Sequence, residues 1–291
     1  MSFNDDARLD TSGVSSGGRG RGGLAVGGGL GGLVIVVIGL FFGVDLTGGS
    51  SGDAGGAPAP DSTLAQQCRT GADANRDVTC RVVGTQNSVQ AYWQAELPKY
   101  GTDYTPARLD PDGQSQSACG AISATSGPFY CPTDTVVYVD PAFFDELTTR
   151  FGADDGALAQ EYVVAHEYGH HVQDILGLLS NAQRDPQGAD SGAVRTELQA
   201  DCLAGMWANG AAQTKDANGR PFLKPLTKQD IDSALSAASA VGDDRIQQKA
   251  QGRVNQESWT HGSAAQRQRW FTTGYTTGSL KACDTFSAAR L

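Results

Sequence analysis

From about Leu64 onward the apolar residues recur mainly at three- and four-residue intervals, the spacing of one face of an α-helix. The stretch "NSVQAYWQAELPKYG" (87–101) predicts a Ser-capped helix with Val89, Tyr92, Trp93 and Leu97 on one face. Thr135–Val139 is a short β-branched run, broken at Asp140-Pro141, after which the helical pattern resumes. A longer helix is expected from about Ala157 to Leu179, where Val164, Tyr168, Val172, Ile175 and Leu179 form a core-facing stripe. Val163, His166 and His170 lie on the adjacent face. Further helices are expected over about 194–213 and 227–241, and a last one opens near Ser263. The pattern predicts an α+β fold, mainly helical, with a short β-sheet.

The first sixty residues read differently. Residues 1–22 are rich in Gly, Ser and Asp and predict a disordered cytoplasmic tail. Leu24–Val44 carries no charge for 21 positions, about one bilayer's worth of helix, so 23–44 reads as one transmembrane anchor. Arg8, Arg19 and Arg21 precede the run and no Lys or Arg follows until Arg69, which orients the N-terminus to the cytoplasm and the rest outside the cell membrane. A cleaved signal peptide is the rival reading. Against it, some twenty polar residues come first and no small-x-small site directly follows the run. Residues 45–63, Gly-, Ser- and Pro-containing, read as a flexible linker, and 64–291 as one folded extracytoplasmic domain.

Charge and cysteines narrow the function. A net charge of −10 leaves no basic face for phosphates, so a nucleic-acid partner is set aside. Six cysteines occur, none in a Cys-x-x-Cys pattern. In an exported chain an even number reads as disulfides. Equal spacing suggests Cys68 with Cys80 and Cys119 with Cys131, leaving Cys202 and Cys283, though this is one connectivity among the fifteen that six cysteines allow.

The candidate chemistry lies in "AHEYGHHVQ" (165–173), which holds three of the four histidines. With this composition, His-Glu-x-x-His arises by chance in about one chain per thousand, so the motif merits a physical test. On a helix, residues four apart project side by side, so His166 and His170 can reach one zinc ion. Glu167 is placed to act as catalytic base on water. The third ligand is offered by "TELQADCLAGMWA" (196–208). There Glu197 is assigned to the metal and Asp201 to the free ring nitrogen of a ligand histidine, while Ala200, Ala204 and Gly205 allow the two helices to approach. His171 reads as a residue that packs or supports a ligand, not as a ligand itself, and Cys202 as a disulfide partner of Cys283.

These residues resemble the gluzincin metallopeptidases, which share His-Glu-x-x-His plus Glu-x-x-x-Asp. The wider run "GPFYCPTDTVVYVDPAFFDEL", "AHEYGHHVQ", "ELQADCLAG" and "THGSAAQRQRWF" resembles the bacterial family called putative neutral zinc metallopeptidases, over roughly 65–285. The resemblance implies a zincin-like fold, a zinc cofactor and a peptide or protein substrate. By analogy with gluzincins it also implies that Thr135–Val139 pairs with extended substrate, and that His261, or less well Tyr275, stabilises the oxyanion. The expected function is a membrane-anchored zinc metallopeptidase. The alternatives are a non-catalytic, zinc-stabilised envelope binding or assembly protein and a peptidoglycan amide hydrolase.

Overall fold

The computed structural model describes residues 2–15, 62–111, 116–122 and 127–291. Two short helices, Ser62–Gln67 (α1) and Gly71–Arg76 (α2), lead into the long helix Val78–Glu96 (α3). This helix begins well before the Ser88 cap expected from the pattern. Its cap is Asp77, whose carboxylate accepts the Cys80 amide at 2.9 Å. Ser88 is a buried mid-helix residue, paired with Thr214 and accepting the Trp207 indole N–H. The polar run "GTQNS" (84–88) conceals a helix because Gln86, Asn87 and Ser88 are turned onto neighbouring segments and Thr85 onto its own helix, instead of onto water.

A small sheet comes next, made of Arg108–Asp110 (β1), Phe129–Cys131 (β4) and Val136–Tyr138 (β5) in the order β1-β5-β4. A two-stranded hairpin, Gln116–Ser117 (β2) with Gly120–Ala121 (β3), stands beside it. The expected strand is therefore present as β5, but it is the centre of the sheet. It pairs in parallel with β1 and antiparallel with β4. Both of its edges are occupied, which corrects the expectation that Thr135–Val139 pairs with substrate: no backbone donors are left for a guest strand. Among the described residues β1 and β4 are the edge strands; residues 13–15 cover the outer side of β1, and β4 packs against the helix that carries the histidines.

Seven more helices complete the body: Phe143–Thr149 (α4), Ala157–Ile175 (α5), Ser180–Arg184 (α6), Gly192–Gly210 (α7), Lys228–Ala240 (α8), Asp243–Gln251 (α9) and Ala264–Thr277 (α10). Capping boxes at Thr227/Asp230 and Ser263/Gln266 fix the starts of α8 and α10, as their sequences imply. Helix α5 is central, packed by α3, α7 and α8, and buried on nearly every side from Leu158 to Gln173. Val164, Tyr168 and Val172 of its apolar stripe face the core as expected, but the helix ends at Ile175, short of the expected Leu179, which precedes α6; its polar face is buried against α7.

Small residues set these helix contacts. A Cβ on Gly169 would lie 3.0 Å from the Ala200 carbonyl oxygen, so α5 and α7 touch backbone to backbone there. Gly205, expected to serve the same contact, serves another: its Cβ would meet the Phe271 carbonyl oxygen at 2.1 Å, and that of Gly274 the Cys202 carbonyl oxygen at 1.9 Å. Three disulfides, Cys68–Cys80, Cys119–Cys131 and Cys202–Cys283, use all six cysteines.

Residues 2–15 are not a disordered tail. Phe3, Ala7 and Val14 are buried in the main core, and isolated β-bridges join Phe3 to Leu223, Arg8 to Thr70 and Val14 to Leu109. Apolar side chains this sparse in a polar stretch have no period that a sequence reading could detect. The expected anchor (23–44) and nearly all of the linker (45–63) lie outside the described residues. No helix among the described residues is long and apolar enough to cross a membrane.

Candidate metal centre

Where α5 and α7 touch, His166, His170 and Glu197 converge. The Nε2 atom of His166 lies 3.2 Å from Glu197 Oε2, and that of His170 lies 3.4 Å from Glu197 Oε1. One ligand atom from each residue falls within 4.8 Å of the others, and all three residues are buried. On the far side of each ring, Nδ1 faces an acceptor: Asp201 Oδ1 at 2.8 Å for His166 and Gln173 Oε1 at 2.8 Å for His170. Each Nδ1 therefore carries a proton, and each Nε2 is aimed at the Glu197 carboxylate. A carboxylate facing two ring nitrogens in a dry site calls for positive charge between them, supplied by a metal ion or by protons on the rings. His170 Nε2 and Glu197 Oε1 are buried without a hydrogen-bond partner, as ligand atoms would be. Two imidazoles and a carboxylate form the three-ligand donor set of a catalytic zinc.

The relay behind His166 is fully buried. Asp201 accepts from His166 Nδ1, from the Tyr162 hydroxyl (2.5 Å), and from Nε and Nη2 of Arg267 (2.8 and 2.9 Å). Burial alone would raise the Asp201 carboxyl, but Arg267 and His166 outweigh it and hold Asp201 below the usual carboxylate range. Burial works against a charged His166, yet the Asp201 and Glu197 carboxylates push it up to about 10. The pocket is thus strongly attractive to positive charge. Gln173 is fixed in turn by donating to the Thr196 carbonyl oxygen (2.7 Å) and to Gln199 Oε1 (3.0 Å), both on α7.

Glu167 is buried one step round α5 from His166, and burial pushes its carboxyl up while the two neighbouring histidines oppose the shift. His171 points elsewhere: its Nε2 donates to the Thr105 carbonyl oxygen (2.6 Å) and its Nδ1 meets the Tyr130 hydroxyl (3.0 Å). It is a packing residue, as its angular position implies.

His261 is buried in the loop before α10. Asp243 Oδ2 accepts the backbone amides of Thr260, His261 and Gly262 at 2.7 to 3.0 Å, and Asp243 Oδ1 lies 3.3 Å from His261 Nδ1. The opposite nitrogen, Nε2, is buried and unpartnered, and the ring interacts electrostatically with Glu197. Burial disfavours the imidazolium, but Asp243 and Glu197 win and its pKa is raised. Tyr275, the weaker alternative, stacks on Phe271 beside Gly205, two turns beyond Glu197 along α7.

A family model described as "putative neutral zinc metallopeptidase" matches residues 2–286, almost the whole chain. The chain belongs to that family. Among curated relatives, an uncharacterized protein of Mycobacterium tuberculosis is 58% identical over 234 residues, covering 80% of this chain and 78% of the relative. The uncharacterized protein YpfJ of Escherichia coli is 37% identical over 294 residues, covering 97% and 94%. No solved structure matches. The family match begins at residue 2, so it takes in the packed N-terminal segment as well as the site.

Within this domain, sequence reading missed Arg267, Tyr162, Gln173 and Asp243. Arg267 left a signal: it falls in phase with Ala264, Trp270, Phe271 and Gly274, the buried stripe of α10. A charged residue on an apolar stripe is either a misplaced phase or a buried partner for another charge. Gln173 shares the His170 face at i+3. Nothing in the sequence marks Asp243, whose role depends on a loop eighteen residues away.

Proposed function

We propose that this chain is a zinc metallopeptidase in which His166, His170 and Glu197 hold the metal and Glu167 is the general base. The observation that carries this reading is the pair of Nε2 atoms converging on the Glu197 carboxylate in a buried site, with both Nδ1 atoms held from behind by acceptors. Zinc bound there supplies Lewis-acid polarisation of a scissile carbonyl and acidifies water. Glu167 takes the proton from the attacking water and delivers it to the leaving amine, and its upward-shifted carboxyl suits both halves of that transfer. Asp201, held by Arg267 and Tyr162, keeps His166 in the tautomer that leaves Nε2 free. Asp243 anchors His261, whose protonated Nε2 can donate to a developing oxyanion. With β5 enclosed, the edge of β4 beside α5 is the strand available to an extended peptide. Three disulfides support an oxidising compartment outside the cytoplasm.

The experiment is metal content and peptide cleavage by the full chain beside its Glu167→Gln variant. One zinc in each, with cleavage reduced by about 10²–10⁴ in the variant, is expected for loss of a general base. Zinc in both with cleavage by neither favours the non-catalytic envelope protein, and cleavage of cell-wall peptides alone favours the amide hydrolase. Substantial activity in Glu167→Gln, or no metal in the parent, rejects the mechanism.

A further inference from the structure

We propose that residues 2–15 and the zinc domain lie on the same side of the membrane, so that the charge-free run Leu24–Val44 does not make a single crossing between them. One crossing would hold the segments on either side of it in different compartments, and here those two segments are packed together. Phe3 is fully buried, seated over Gly84 of α3, where a Cβ would approach its ring to 2.7 Å. The Asn4 carbonyl oxygen occupies the space a Cβ on Gly71 would need, at 2.0 Å. Two glycines thus leave room on the domain for this segment's backbone.

The polar groups match as well. Asn75 Oδ1 accepts the Phe3 amide and its Nδ2 donates to the Phe3 carbonyl oxygen; Asn87 does the same for Asp10. Backbone bonds run from Asn4 to Phe222, from Lys224 to Ser2, from Leu9 to Arg69 and from Gly71 to Ala7. At its far end the segment closes the sheet: Leu109, on β1, donates to the Gly13 carbonyl oxygen and accepts the Ser15 amide. Leu109 is fully buried with the segment in place, and both of its backbone groups are satisfied by it. A cytoplasmic tail would leave all these positions empty. The segment is therefore a strap belonging to the domain, and its two flanks, residue 15 and residue 62, belong to one compartment.

The test is thiol labelling of the full chain in spheroplasts with a membrane-impermeant maleimide, before and after detergent. The native chain offers no competing thiol, because all six cysteines are paired. Ser12→Cys reports the strap and Val254→Cys the domain, and both positions are exposed. Equal labelling of the two before detergent is expected. Equal protection of both until detergent also supports the strap, and moves the whole protein to the cytoplasmic face against the compartment proposed above. Labelling of position 254 with protection of position 12 overturns the inference, as does a mature chain lacking residues 2–15. As a second measurement, Gly84→Val should evict Phe3 and expose the strap to proteolysis at least tenfold faster while the domain stays intact; unchanged proteolysis would refute the packing. Neither readout involves zinc or catalysis, so this inference and the peptidase reading fail separately.

Discussion

At the scale of single residues, the centre is governed by one buried cation. Arg267 holds Asp201 through two parallel N–H donors, and Asp201 holds the Nδ1 proton of His166. Lysine keeps the charge but loses the planar fork. Arg267→Lys should therefore fold and weaken zinc binding by about 10- to 100-fold, as expected when a partner behind a metal ligand is disturbed; chelator competition measures it, and unchanged affinity would remove Arg267 from the relay. Glu161 is a second buried charge, with both carboxylate oxygens unpartnered. Burial pushes its carboxyl up to about 7, with Arg81 opposing only in part. The folded state therefore holds this proton more tightly than the unfolded chain, whose carboxyl titrates near 4.5. The stabilisation is complete below that value and is lost as pH rises through 7, at a cost of about 3 kcal/mol. Glu161→Met should flatten that decline and raise stability at pH 8; denaturant unfolding at pH 4.5, 6 and 8 would show it, and an unaltered slope would exclude Glu161 as the source.

At the scale of elements, the site depends on how closely three helices approach. Helix α7 carries Glu197 and Asp201 and is fixed from one side by α5 at Gly169/Ala200 and from the other by α10 at Gly205/Gly274. Gly274→Ala puts a methyl group where the Cys202 carbonyl oxygen stands, and backbone cannot move aside as a side-chain tip can. Overpacking of this kind costs about 1–3 kcal/mol or more. The expected result is a lower melting temperature together with weaker zinc binding, since pushing α10 away also draws Arg267 from Asp201. A stable variant with native zinc affinity would show that the two helices yield independently. The existence of α5, α7, α8 and α10 and the starts of α8 and α10 were legible because they are local: apolar spacing, Thr227, Ser263. The start of α3 was not, because its polar stretch is solvated by other parts of the chain, and β5's place at the centre of the sheet depends on β1, which lies well upstream.

At the scale of the whole molecule, the Cys202–Cys283 disulfide ties the residue after Asp201 to the C-terminal segment across a separation of 81 residues. Closing a loop of that size stabilises by about 4 kcal/mol in the chain-entropy account. Replacing both cysteines by alanine should lower stability by that order, a loss measurable by denaturant unfolding; a change under about 1 kcal/mol would mean the C-terminal segment is held by packing alone. The strap has the same global character, since residues near the N-terminus complete the sheet edge and the surface of α3.

Local sequence encodes only what a few consecutive residues can carry. His166 and His170 share a helix face, Glu197 and Asp201 share another, and charge and cysteine spacing bear on class and compartment. Four-residue spacing places side chains together wherever the helix ends up, so such pairs survive any tertiary arrangement. Only the tertiary structure decided which nitrogen of each histidine is free, that Arg267 and Tyr162 stand behind Asp201, that Asp243 sets His261, and that residues 2–15 belong to the domain. Each of these depends on contacts between segments far apart in the chain, set by the close packing of α5, α7 and α10, and no local pattern records them.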